Sequence, residues 1–220
     1  MFSFFAMMSR MKYINRWALM RSSREEDVSE HSLEVSMIAH GLAIISKERY
    51  SIDVDEARVA LKGIYHDASE IITGDMPTPV KYYDDDIRAS YKRVENIACH
   101  TLMNKLPADM KKYYQPLLFG EEDALEFLDK VEEDAPLDVD TLNSDKKALD
   151  AYEWRLVKAA DKLSALIKCV EERKSGNTEF ESAYTSTEVA LQAMDIPAVE
   201  DFLNDFLPAY ELTLDELQGR

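Results

Sequence analysis

The stretch GIYHDASEIITGDMPTPVKY, residues 63–82, is the one around which the rest of the chain is organised. It holds an adjacent His-Asp pair, His66 and Asp67, with Glu70 one helical turn later. A loop carrying Asp75, Met76, Pro77, Thr78 and Pro79 follows. A helix turns about 100° per residue, so His66 and Glu70 lie one above the other with Asp67 beside them. Two metal-ligand types and an acid or base then project from one patch of one helix. Thr73-Gly74 is expected to stop that helix, and Pro77 and Pro79 keep residues 76 and 78 out of helical geometry. Taken alone a His-Asp dipeptide is more often a surface pair, so the weight falls on what surrounds it.

Upstream, Asp53 or Asp55 is placed to cap this helix, and Ala57, Ala60, Leu61, Ile64 and Ile71 are expected to form its buried face. Asp67 falls on the row Ala60, Ile64, Asp67, Ile71, where a carboxylate is costly unless paired or bound to a metal. A preceding helix is expected from just after Ser29 to about Lys47. Its row His31, Val35, Ile38, Leu42, Ile45 steps by four, three, four and three, which turns His31 inward. His40, nine residues on, faces the other side and is set aside as a ligand. The first helix is expected over Phe2 to about Arg21, with Phe5, Met8, Met11, Ile14 and Ala18 at helical spacing. Near its end stands Asn15-Arg16-Trp17, where the bland reading is a solvated cation and a core anchor.

Downstream, Asp84 to Leu106 reads as an amphipathic helix through Ile87, Tyr91, Val94, Ile97, Ala98 and Leu102. A short helix to Leu118 follows. Residues 121–140 hold ten acidic residues and one Lys, a net −9, and read as a solvated surface excursion. A long helix from about Lys146 to Ser175 has the stripe Leu156, Ala160, Leu163, Ile167, Val170, with Asp161 beside it and Gly176-Asn177 to stop it. Helical stretches near 178–194 and 198–207 and a turn from Thr213 complete the chain. With no strand pattern and no repeat, the expectation is an all-α domain over 1–220 with an acidic insertion at about 119–150.

The 220 residues are 46% apolar and carry a formal charge of −17. Such a charge argues against a nucleic-acid polymer, whose phosphates need a basic face. A small anion still binds where an Arg or a metal ion reverses the field locally. No apolar stretch reaches membrane length, and the N-terminal run is apolar before it is basic, the reverse of a signal peptide. Cys99 and Cys169 lack motif spacing, which suits a reduced, cytoplasmic protein.

Helical register thus turns His31, His66, Asp67 and Asp161, from three helices, toward the interior. Two imidazoles and two carboxylates suit Mn, Co, Fe, Zn or Ni rather than Ca. Spacing alone leaves open whether they converge. This set resembles the H…HD…D signature of HD-domain metal-dependent phosphohydrolases. INRW at 14–17, VSEHS at 28–32, YHDASE at 65–70, TGDMPTPVK at 73–81, the KAAD region at Asp161 and the tail FLPAYELTLDE further resemble the bacterial 5′-deoxynucleotidases. The resemblance covers nearly the whole chain apart from roughly 119–150.

That resemblance implies an all-helical HD-domain bundle, a homodimer, and hydrolysis of 2′-deoxyribonucleoside 5′-monophosphates to deoxynucleoside and phosphate. It implies one divalent transition metal ion per chain on His31, His66, Asp67 and Asp161. Substrate contacts map to Arg16, Trp17, Asp75, Met76, Pro77 and Thr78, besides His31, Asp67 and Asp161. Glu70 and Arg16 map to catalytic positions. The neighbouring alternative is an HD-type hydrolase of a triphosphate or signalling nucleotide, which needs more cations near the metal than Arg16 and Lys81. A nucleotide-binding protein without turnover and a helical scaffold with ordinary His and Asp residues are the other classes. Metal analysis of the purified protein separates the scaffold from the rest.

Overall fold

Whatever the hydropathy rows suggest, the elements are set by their caps and by a buried polar network. The computed structural model describes residues 1–81, 83–121, 124, 127 and 138–219, without the side chains of Thr78 and Pro79. The helices are α1 (Phe4–Met8), α2 (Val28–Tyr50), α3 (Glu56–Tyr65), α4 (Glu70–Thr73), α5 (Thr78–Lys81) and α6 (Asp85–Met103). They continue as α7 (Lys111–Leu118), α8 (Val139–Ser144), α9 (Lys146–Lys174), α10 (Glu181–Gln192), α11 (Pro197–Asp205) and α12 (Leu214–Leu217). Among the described residues no strand occurs, only an isolated bridge between Asn15 and Asp27. The architecture is all-α.

The layer that builds the site is α2 packed on α3, with α9 lying against both. Asp27 caps α2 by accepting from the Ser29 and Glu30 amides at 2.8 and 2.9 Å, so the helix starts one turn before Ser32 and carries His31 in its first turn. Asp55 caps α3 through the Arg58 amide. Asp145 caps α9, which runs to Lys174 with Leu156, Ala160, Leu163, Ile167 and Val170 all buried as expected. Where α2 and α3 cross, a Cβ on Gly63 would lie 2.8 Å from Ser36 Cα. Only a glycine permits that approach, and Ser36 Oγ donates to the Ala60 carbonyl beside it.

Three expectations are corrected. The first helix is not continuous to Arg21: after α1 the chain makes a 3₁₀ turn at Met11–Tyr13 and then leaves helical geometry. Arg16 N–H donates to the Glu26 carbonyl and Val28 N–H to that of Ile14, so the segment is tied to the start of α2 instead of to itself. The buried face of α3 is Val59, Lys62 and Gly63, while Leu61 is 47% and Ile64 37% exposed. Lys62, only 1% exposed, donates to Asp150 Oδ1 at 2.8 Å and to the fully buried Glu153 at 2.9 Å, against the Trp154 ring. A paired buried cation replaces the apolar row that hydropathy alone predicts. Finally, α3 ends at Tyr65. Residues 66–69 form tight turns, with Ala68 N–H on the Tyr65 carbonyl and Glu70 N–H on that of Asp67, before α4 begins.

The acidic segment falls largely outside the described residues. Its described parts are not mere surface: Ala124 and Leu142 are buried in the main core, and Phe127 packs against it.

Candidate active site

His31 enters the site from the first turn of α2, His66 and Asp67 from the turn after α3, and Asp161 from the middle of α9. His66 Nε2 lies 3.0 Å from Asp67 Oδ2, and His31 Nε2 lies 3.5 Å from the same oxygen. One ligand atom each of His31, His66 and Asp67 falls within a mutual 4.8 Å. Asp161 adds its Oδ1 at 3.1 Å from His31 Nε2. Both Nε2 atoms are buried, yet neither finds a well-aligned hydrogen-bond partner among the described residues. Oxygens stand close to the ring nitrogens but off their axes, as donors aimed at a common point do.

The tautomers fit that reading. His66 Nδ1 donates to the Gly63 carbonyl at 2.7 Å, which leaves the Nε2 lone pair facing the site. His31 Nδ1 lies 3.0 Å from Ser164 Oγ, whose own hydrogen goes to Glu34 Oε2 at 2.6 Å. Ser164 is therefore placed to accept Nδ1–H and leave His31 Nε2 as an electron-pair donor. Arg16 Nη1 also meets His31 Nδ1. Arginine has donors only, so that contact belongs to the other tautomer.

Electrostatics follow from two half-buried carboxylates, Asp67 and Asp161, set against two imidazoles and Arg16. Burial works against the charges, but the His66 cation and then the nearby His31 ring hold Asp67 well below the usual carboxylate range. Burial likewise opposes the Asp161 charge, and His31 then His66 keep that carboxyl low. Burial also opposes the His66 charge, yet Asp67 and Asp161 push it up to about 9. The imidazolium supplies the positive charge that these carboxylates demand. A divalent cation would supply it more fully.

Arg16 lies along one side. Its Nη1 is 2.5 Å from Glu26 Oε1 and its Nη2 4.0 Å from Asp161 Oδ1, and it sits over the Trp17 ring. Trp17 is half-buried, packs on Phe180 with ring centres 5.3 Å apart, and has a left-handed φ of 58°. Its buried Nε1 finds no acceptor among the described residues. The bland readings of Arg16 as solvated and Trp17 as a core anchor therefore both fail.

Glu70 is half-buried, with Oε2 fully enclosed and unpartnered among the described residues. Burial, then the charges of Asp67 and Asp75, push its carboxyl up to about 10. Asp75 is raised too, by burial first, with Arg16 pulling the other way. Met76 and Pro77 are half-buried beside it, and the side chain of Thr78 lies outside the described residues. Sequence reasoning missed Glu26, Glu34 and Ser164. Two carried a register signal: Glu34 follows His31 by three residues and Ser164 follows Asp161 by three, each on its ligand's face.

The family model described as 5′-deoxynucleotidase YfbR-like matches residues 3–210. The 5′-deoxynucleotidase of Erwinia tasmaniensis is 41% identical over 97% of this chain and 95% of its own length. The 5′-deoxynucleotidase YfbR of Escherichia coli is 41% identical over 97% of this chain and 94% of its own. An HD-domain phosphohydrolase of Listeria innocua superposes with a TM-score of 0.71 at 22% identity, covering 98% of this chain and 92% of the other, and so shares the fold. With a matching family model over nearly all of its length and relatives of this identity, the chain belongs to the YfbR-like 5′-deoxynucleotidase family.

Proposed function

We propose that the protein hydrolyses 2′-deoxyribonucleoside 5′-monophosphates to deoxynucleoside and phosphate, using one divalent ion of the Mn, Co, Fe, Zn or Ni group held by His31, His66, Asp67 and Asp161. The observation that carries this is the meeting of two buried imidazole Nε2 atoms, without a hydrogen-bond partner among the described residues, with the Asp67 and Asp161 carboxylates from three separate elements. An ion held by these four residues would supply Lewis acidity there, activating a water and drawing off phosphate charge.

The chain's own residues do the rest. Arg16, permanently cationic, binds the phosphate and stabilises charge on its equatorial oxygens. A proton on His31 Nδ1, shared with Ser164, displaces Arg16 Nη1 from the ring and frees it for the incoming anion. As water adds to phosphorus the bond from phosphorus to O5′ breaks, the neutral Glu70 carboxyl donates its proton to the leaving O5′, and the proton given up by the water restores the Glu70 carboxyl. Its raised pKa supports this role over that of a base. Trp17 forms a flat wall next to Arg16 and limits space at the 2′ position, while Asp75 and Thr78 take the 3′-hydroxyl. Little in Asp75 to Pro79 is suited to reading a base edge, so several bases are accepted.

The test is phosphate release from ribo- and deoxyribonucleoside mono-, di- and triphosphates with each of several divalent metals. Deoxyribonucleoside monophosphates are expected to lead for more than one base. Equal turnover of AMP and dAMP, or a triphosphate preferred over both, returns the protein to the broader HD-type phosphohydrolases.

The functional unit is a homodimer. Leu33, Met37 and Ile44 share one face of α2 and are exposed, and Leu61 and Ile64 are exposed on the α3 that packs against it. Apolar side chains on adjacent helices support a self-association face. Light scattering is expected to give twice the 25.2 kDa chain mass, and a monomer at micromolar concentration removes the dimer. The buried cysteines Cys99 and Cys169, neither of them in a disulfide, suit a reducing cytoplasm. Among the described residues no helix is long and apolar enough to cross a membrane.

A further inference from the structure

Glu172 is a carboxylate in the wrong place for helix stability. It lies in the last turn of α9, where the helix dipole disfavours an anion, and it is fully buried. It is nonetheless densely bonded. Both its oxygens accept from the Ser23 amide, at 3.0 and 2.8 Å, and Oε2 also accepts from Asn177 Nδ2 at 2.8 Å. Lys168, one turn earlier and itself buried, reaches Glu172 Oε1 at 2.6 Å and donates to the Arg24 carbonyl at 2.7 Å. Asn177 Nδ2 donates to the Arg21 carbonyl at 2.6 Å. Burial opposes the Glu172 charge, but the bonds from Lys168, Ser23 and Asn177 hold its carboxyl at about 2.

All three partners therefore grip one segment, residues 21–24, at the far end of the loop that begins with Arg16 and Trp17. The near end is held by Glu26, through its carbonyl to the Arg16 amide and its carboxylate to the Arg16 guanidinium. Between the two grips Trp17 occupies a left-handed backbone conformation that a bulky residue adopts only when its surroundings impose it. Phe180, three residues beyond Asn177, is fully buried and forms the surface on which the Trp17 ring rests. The C-terminal end of α9 and the turn after it are thus a seat for this loop.

We infer that Glu172, with Lys168 and Asn177, is a positioning residue that sets the placement of Arg16 and Trp17, and through them substrate affinity and sugar preference, without touching substrate. This rests on the reading that Arg16 and Trp17 meet the nucleotide. A residue that acts through Arg16 and Trp17 changes KM and the deoxyribo-to-ribo ratio, lowers kcat only as far as Arg16 is displaced, and leaves the metal site alone.

The experiment compares metal-loaded full-length protein with Glu172→Gln and with the milder Asn177→Ala, which keeps the inference testable should the first fail to fold. Of the two tryptophans Trp154 is fully buried, so acrylamide quenching of fluorescence reports Trp17. In both variants quenching is expected to rise, and KM for dAMP to rise about tenfold in Glu172→Gln with any fall in kcat tracking the displacement of Arg16, since sub-ångström misplacement of a binding group weakens alignment. Metal content stays unchanged and the preference for dAMP over AMP narrows. A folded variant with unchanged KM, or with Trp17 as shielded as before, overturns the inference. Should the unaltered protein release no phosphate from any nucleotide, the quenching arm still decides. A rise upholds the seating of Trp17 by Glu172, and the nucleotidase reading alone falls.

Discussion

At Glu70 a single carboxyl is kept protonated by burial first and by the charges of Asp67 and Asp75 second, and that gives it a kinetic signature. In the proposed mechanism the protonated form is the active one, so activity is present below its pKa and lost as pH rises through it. That pKa is about 10 in the metal-free protein, and a cation on Asp67 brings it lower by relieving the repulsion. We expect an alkaline limb in the pH profile of kcat, abolished in Glu70→Gln together with roughly 10²–10⁴ of the rate, while metal content and dAMP binding persist. A variant turning over at the parental rate removes Glu70 from the chemistry. The inward register of His31 and Asp161 was legible at this scale because each lies beside an apolar row of a long helix, whereas spacing left open whether they converge with His66 and Asp67, which stand in the turn after α3. Glu26 was not legible, since its role as partner of Arg16 depends on a loop pairing with no periodicity.

Between elements the deciding contact is Gly63 on Ser36. Gly63 lets α3 approach α2 and offers its carbonyl to His66, so one residue sets both the distance and the ring orientation. Gly63→Ala keeps helix propensity but drives a methyl into backbone, a clash that overpacking data put at about 1–3 kcal/mol. The expected result is a folded protein with weaker metal binding, read by competition with a chelator, and a lower melting temperature. Parental metal affinity in that variant excludes the crossing as a determinant of the site. Hydropathy located α2 and α9 well because their buried rows are apolar. It misplaced the buried face of α3 because Lys62 takes a position that a hydropathy scale assigns to solvent, with Glu153 across from it. It also extended the first helix through Arg16, where ion pairing with Glu26 and the Trp17 contact with Phe180 outweigh helical propensity.

Across the whole molecule the acidic stretch behaves as two things at once. Composition marks residues 121–140 as solvated, and seven of their ten acidic residues lie outside the described residues, four of them in the run 128–137. Composition averages over a window, however, and hides the few apolar side chains that matter. Ala124, Phe127 and Leu142 join the same core as Val35 and Leu163, which also contains the α2 and α9 faces that carry His31 and Asp161. The flanks of the insertion are therefore part of the scaffold behind the site. Leu142→Ala, at a fully packed position, is expected to cost about 2–5 kcal/mol and lower the melting temperature by several degrees. Replacing 128–137 by a short Gly/Ser linker is expected to leave metal binding and kcat intact, because no site residue lies in that run. If Leu142→Ala melts with the parent, the insertion is surface decoration throughout. If the linker variant stays folded and loses turnover, the acidic run reaches the active site, and the division between core flank and solvated charge is wrong.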